Sequence, residues 1–136
     1  MYLVDTSVWI DYIRGRDCQH VEFLRDLLSN PIAVWITHLI YMEILQGARD
    51  AASFDRLRSY FSGQQFYSFS DMTAGHTSAA RIYLDCRQRG VTVRSTADCL
   101  IAACAIQSKT TLLHHDRDFE RIASVFPALK EKSFLG

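Results

Sequence analysis

With 136 residues, 49% of them hydrophobic and 12% aromatic, the chain is too apolar to remain disordered and long enough to bury a core. Its formal net charge is zero, which argues against a uniformly basic nucleic-acid surface, and no apolar run approaches the roughly 18 residues needed to cross a bilayer. The start, Met1-Tyr-Leu-Val-Asp5, has neither a basic n-region nor a cleavage pattern, so the expectation is one cytoplasmic domain over residues 1–136 that does not engage a membrane.

In chain order, Tyr2 to Asp5 reads as a short strand buried on both faces. Asp5 or Thr6 caps a helix through Val8, Trp9, Tyr12 and Ile13 that ends near Gly15. Helical spacing returns from Val21 to Leu28, and Asn30-Pro31 stops it. Ile32 to Ile36 is a second apolar strand, followed by a helix from Thr37 to about Gly47. Ala51 to Phe61 is amphipathic, with Phe54, Leu57, Tyr60 and Phe61 on its apolar side. Gln65 to Phe69 is a third strand, and Asp71 caps a long helix that stops at Gly90. Ser95-Thr-Ala-Asp98 resembles a capping box opening the next helix. Thr111 to Leu113 is a fourth strand, Asp118 caps a short helix to Val125, and Lys132 to Leu135 is a candidate edge strand. Strands alternating with helices predict an α/β fold, a mostly parallel sheet covered on both faces, with sites beyond the carboxyl ends of its strands.

Four acids fall at or near that edge. Asp5 ends the first strand, where an unpaired charge is costly unless a cation meets it. Glu43 shares a helical face with Leu39, Ile40 and Gly47 and is expected to point inward. Asp98 shares a face with Ile101, Ala102 and Ala105, without a lysine or arginine beside it. Asp116 follows the fourth strand and is assigned to a metal, with Asp118 as the cap and a supporting or second-metal residue. His114 and His115 are expected to serve packing or surface, since an oxygen-seeking ion prefers the acids. Clustered carboxylates without matching bases repel one another, and Mg2+, or Mn2+, balances them while activating water for phosphodiester hydrolysis. Binding such an ion neutralises acid charge locally and leaves a basic remainder. Among the basic residues, 12 Arg against 3 Lys favour bidentate phosphate contact, and Arg14, Arg94 and Arg117 lie near the motif ends. The cysteines Cys18, Cys86, Cys99 and Cys104 form no C-x-x-C pair and no Cys/His spacing typical of zinc, and are expected to be buried free thiols without a functional role.

Leu3-Val-Asp-Thr-Ser-Val-Trp-Ile-Asp11, Glu43-Ile-Leu-Gln-Gly-Ala48, Asp98-Cys-Leu-Ile-Ala-Ala103 and His115-Asp-Arg-Asp-Phe119 together resemble the PIN-domain ribonucleases, most closely the VapC-like toxins of bacterial toxin–antitoxin pairs. The resemblance runs through essentially the whole chain. It implies a three-layer α/β/α domain and a magnesium-dependent endoribonuclease whose acidic set is Asp5, Glu43, Asp98 and Asp116, with Thr6 or Ser7 as a supporting hydroxyl. It further implies a homodimer, an RNA substrate and a cognate VapB-like antitoxin whose C-terminal tail occupies the site and a neighbouring groove. His114 departs from the family, which more often has a small hydroxyl residue there. Alternatives are a PIN-fold RNA-processing nuclease without an antitoxin and a non-catalytic RNA-binding or assembly module. An aspartate-phosphorylated signalling domain leaves Glu43 without a role, and a haloacid-dehalogenase-type phosphatase requires Asp-x-Asp where residues 5–7 are Asp-Thr-Ser.

Overall fold

A computed structural model describes all of residues 1–136. Five short parallel strands form one sheet: β1 (Tyr2–Val4), β2 (Val34–Thr37), β3 (Gln65–Tyr67), β4 (Thr111–Leu113) and β5 (Glu131–Lys132), in the order β3-β2-β1-β4-β5. The central strand, β1, sets Leu3 opposite Trp35 on one side and opposite Leu112 on the other. Leu3, Val4, Ile36, Leu112 and Leu113 are fully buried, as expected for strands covered on both faces.

The helices are α1 (Thr6–Ile13), α2 (Gln19–Leu28), α3 (His38–Gln46), α4 (Ala51–Phe61), α5 (Met72–Gln88), α6 (Thr96–Ser108) and α7 (Arg117–Val125). Strand order dictates their sides. Connections β1→β2→β3 step one way across the sheet and β3→β4→β5 step back, so right-handed crossovers place α1–α4 on one face and α5–α7 on the other. The packing agrees: α1 lies against α2 and α3, α3 against α4, and α5, α6 and α7 against one another. The three-layer α/β/α arrangement is thus a direct result of where the chain reverses.

Two packing features matter for the site. Helix α6 is buried on most of its circumference through Cys99, Ile101, Ala102, Ala103, Cys104 and Ala105, and its small side chains let it lie close to α5 and the sheet. Trp9 of α1 is fully buried edge-on to Phe61 at 4.8 Å, which locks the helix that begins at Asp5.

Several element boundaries differ from expectation. Pro31–Ala33 form a 3-10 turn, so β2 starts at Val34 and not at Ile32. Strand β3 ends at Tyr67, and Phe69 turns inward to lie over Gly75, where any Cβ would meet its ring at 2.2 Å. On α4 only Phe61 is buried, Leu57 is half-buried, and Phe54 and Tyr60 are exposed. The capping box lies at Asp50 and Ser53. Ser95 occupies the N-cap of α6 but makes no side-chain cap bond. Strand β5 pairs through Glu131 and Lys132 only, so it begins one residue before the expected Lys132 and does not reach Leu135. Gly90, in the left-handed region at φ +73°, stops α5 as its sequence position implies.

Candidate metal centre at the carboxyl edge of the sheet

The reversal in strand order falls between β1 and β4, and the acids gather beyond the carboxyl ends of these two strands. The Asp5 amide donates to Leu113 O at 2.9 Å, which extends the β1–β4 pairing to the first acid itself. Asp5 then leaves the strand in an extended conformation and caps α1: its Oδ2 accepts from the Ser7 amide at 3.0 Å and from Ser7 Oγ at 2.6 Å. The amide of His115, just past β4, donates to Ser7 Oγ at 3.0 Å. A relay from His115 through Ser7 to Asp5 therefore pins one strand end to the other. Asp5 Oδ1 is left without a protein donor.

Thr6, the first residue of α1, donates from Oγ1 to Glu43 Oε1 at 2.6 Å and holds the half-buried carboxylate of α3 toward the same edge. Glu43 thus points inward, and Thr6 and Ser7 each orient one acid. Across the sheet, Asp116 is the N-cap of α7, accepting from the Asp118 amide through Oδ1 at 3.0 Å. This reverses the assignment of cap and neighbour: Asp116 caps while facing the cluster, and Asp118, only 4% exposed, is held by Arg121 and by Arg94 at 3.4 Å. Arg121 stands three residues after Asp118 on α7, a spacing at which opposite charges meet, and was legible in the sequence on that ground.

His114 is fully buried. Its Nδ1 accepts from the Asp116 amide at 3.1 Å, which leaves the ring proton on Nε2 to be donated to Glu131 Oε1 at 2.7 Å. This histidine positions the loop that carries Asp116 and braces it against β5.

Asp98, in the first turn of α6, is half-buried and meets no donor. Burial, reinforced by the negative charges of Asp5, Asp116, Asp118 and Glu43, pushes its carboxyl up from 3.8 to about 7. Asp5 is raised as well, chiefly by burial, against the opposing effect of its two Ser7 bonds. Asp98, Asp116 and Asp118 each bring a carboxylate oxygen within 4.8 Å of the others. The close group is thus Asp98, Asp116 and Asp118, and it does not include Asp5 or Glu43, whose charges still reach Asp98. All the donors are oxygen: Asp5, Glu43 and Asp116 each use one oxygen internally and leave the other free, and Asp98 offers both. That is the chemistry a hard divalent cation requires.

The three arginines differ in disposition. Arg94 reaches Asp118 while its side chain remains 72% exposed, so it lies at the mouth of the cluster. Arg117 is turned to Glu120 at 3.6 Å and to Gly136 O at 3.0 Å. Arg14 is exposed in a groove between α1, α3 and α4, with Arg49 and Arg56.

A sequence model of the PIN domain matches residues 2–125. The chain belongs to the PIN domain family. Among curated relatives of this PIN domain, the VapC ribonuclease Mb1587 of Mycobacterium bovis is 38% identical over 126 residues, covering 92% of this chain and 93% of the relative. Ribonuclease VapC51 of Mycobacterium tuberculosis is 31% identical over 128 residues, covering 91% and 86%. In fold, the PIN domain superposes on VapBC2 from Rickettsia felis, solved with a promoter DNA fragment, with a TM-score of 0.75 at 21% identity over 98% of both chains. FitAcB from Neisseria gonorrhoeae gives 0.69 at 19% identity over 96% of both.

Proposed function

We propose that this PIN domain is a Mg2+-dependent endoribonuclease that hydrolyses RNA phosphodiester bonds, and that it is the toxin of a toxin–antitoxin pair. One observation carries the metal-dependent reading. Asp98 stands among Asp5, Glu43, Asp116 and Asp118 without a protein donor, and its carboxyl is pushed up to about 7. A rim of this kind is complete only with a cation. Kinship with VapC ribonucleases supports RNA as the substrate.

Asp5, Asp98 and Asp116, with Glu43, would hold the ion, which supplies Lewis-acid activation of water and of the scissile phosphate. The remaining work belongs to the chain. Ser7 and Thr6 set the direction of Asp5 and Glu43 before substrate arrives. Asp118, neutralised by Arg94 and Arg121, holds those guanidiniums beside the rim, and the exposed one, Arg94, is the candidate for a phosphate oxygen. Burial of the rim keeps the carboxylates in a low-dielectric setting, where interactions with charge on the reacting group are strong.

Residues 1–136 act as one domain in this reading, and two copies form a homodimer. The antitoxin tail would enter the groove of about 630 Å³ lined by Ile10, Ile13, Ile44 and Leu57 with Arg14, Arg49 and Arg56. Its apolar floor and basic rim suit an amphipathic segment carrying acidic residues. No helix is long and apolar enough to cross a membrane.

The test is cleavage of a labelled structured RNA by antitoxin-free protein with Mg2+, with Mn2+, and with chelator, alongside Asp98→Asn. Metal-dependent cutting that the folded variant loses supports the nuclease. Binding without cutting by either protein, across several RNA classes, replaces it with the non-catalytic RNA-binding reading.

A further inference from the structure

A second group of metal-capable side chains lies outside the carboxylate rim. Asp11 sits in the last turn of α1, Cys18 at the N-cap of α2, and His20 two residues on, buried to 4% exposure. One donor atom from each lies within 4.8 Å of the other two. His20 Nε2 is 3.5 Å from Cys18 Sγ and 2.7 Å from Asp11 Oδ2. We propose that Asp11, Cys18 and His20 form a site for a zinc-class cation.

Three observations point the same way. First, a single ring nitrogen has two close partners. One N–H on Nε2 can point at Asp11 or at Cys18 but not at both, whereas a cation at the centre is shared by all three. Second, Cys18 occupies a helix N-cap without making a side-chain cap bond. Its sulfur is turned instead toward His20. Third, the spacing suits the ion. With Zn–S near 2.3 Å and Zn–N near 2.0–2.1 Å, tetrahedral geometry sets sulfur and nitrogen about 3.6 Å apart, and nitrogen and oxygen about 3.4 Å apart. The Cys18–His20 separation already matches. The Asp11–His20 pair must open by roughly 0.7 Å, which a turn of the Asp11 carboxylate accomplishes.

Supporting contacts are in place. Arg16 Nε holds Asp11 Oδ1 at 3.2 Å, which directs Oδ2 at the site, as outer partners do for metal-bound carboxylates. A solvent-open cleft of about 470 Å³ provides the path in, and His115, stacked on His20 at 4.1 Å, lines it beside the position that water would fill. Zinc entering this site takes Cys18 as the thiolate, its proton leaving to solvent, and His20 as the neutral imidazole with its one ring proton on Nδ1. Thiolate, imidazole and carboxylate donors favour zinc over magnesium, so this site and the all-oxygen rim select different ions. Once filled, it staples α1 to α2 beside His115, whose amide anchors Ser7.

The test is titration of metal-free protein with Co2+, with Mg2+ in excess to cover the rim. One equivalent should give a near-ultraviolet thiolate-to-cobalt charge-transfer band that Zn2+ bleaches, and carboxylates cannot produce that band. Cys18→Ser should abolish it while keeping the fold, since Ser is a favoured N-cap residue. His20→Asn and Asp11→Asn should each weaken Zn2+ binding by about tenfold or more. Absence of the band at neutral pH, or its persistence in Cys18→Ser, overturns the proposal and leaves an Asp11–His20 hydrogen bond. Neither result depends on nuclease activity, so the ribonuclease reading stands or falls separately.

Discussion

The two helices that bring aspartates to the rim do so in opposite ways. At the start of α7, Asp116 caps the helix through one oxygen and Asp118 is matched by two arginines. At the start of α6, Ser95 leaves its cap bond unmade and Asp98 has no donor. On the α7 side Asp118 is matched by cations and Asp116 keeps one oxygen free beside it. On the α6 side Asp98 has neither a donor nor a cation, and this asymmetry separates an acid that positions arginines from an acid left wholly to a partner from outside.

The largest expected effect is on catalysis. Asp98→Asn should cut single-turnover RNA cleavage by about 100-fold or more, whereas Asp118→Asn, whose role is to hold Arg94 and Arg121, should cost about 10-fold. Equal losses would erase the distinction. Stability should move in opposite directions. In metal-free urea unfolding at pH 8, Asp98→Asn should stabilise by about 1–2 kcal/mol after allowing for solvent screening, because it removes a charge crowded by like charges. Asp118→Ala should destabilise by about 1–2 kcal/mol, since it breaks a buried carboxylate away from its cations.

Dependence on pH sharpens the same contrast. The folded-state pKa of Asp98 is raised from 3.8 to about 7, so the native protein holds a proton that the unfolded chain has released across that range. This contribution to stability is full below about pH 4 and lost as pH climbs through about 7. Asp5, also raised, acts in the same direction. Metal-free protein should therefore lose stability over that window, and Mg2+ should remove most of the loss by taking the place of the proton. A flat profile in wild type, measured by urea midpoints at several pH values, would contradict it. The smallest effect lies away from the rim. Lys109 ends α6 at φ +56°, and Lys109→Gly should stabilise by about 0.5–1 kcal/mol without changing cleavage.

The fold was legible because buried strands alternate with helices whose starts and stops are marked by Asp5, Thr37, Asp71 and Gly90. Pro31 hid the true start of β2, since an apolar run next to a proline looks the same in a strand and in a 3-10 turn. The inward turn of Glu43 followed from its apolar neighbours, although its anchor, Thr6, comes from another helix. The cap of α7 is Asp116 and not Asp118 because both stand at its start, and only the extended backbone at Asp116 decides which one caps. The Asp11, Cys18 and His20 group escaped notice because Cys18-Gln-His20 is not a spacing typical of zinc, and the acid is contributed by the preceding helix.

The strand order has a consequence for how the rim comes into being. Asp5 follows β1, yet its neighbours across the sheet, β4 and Asp116, come only after β2 and β3 in the chain. The central strand must wait for a distant partner, and pairings so far apart in sequence form late. A folding chain therefore passes through an open half-sheet in which the acids are still apart. The rim comes together only when β4 docks on β1, so its assembly reports that the sheet is complete.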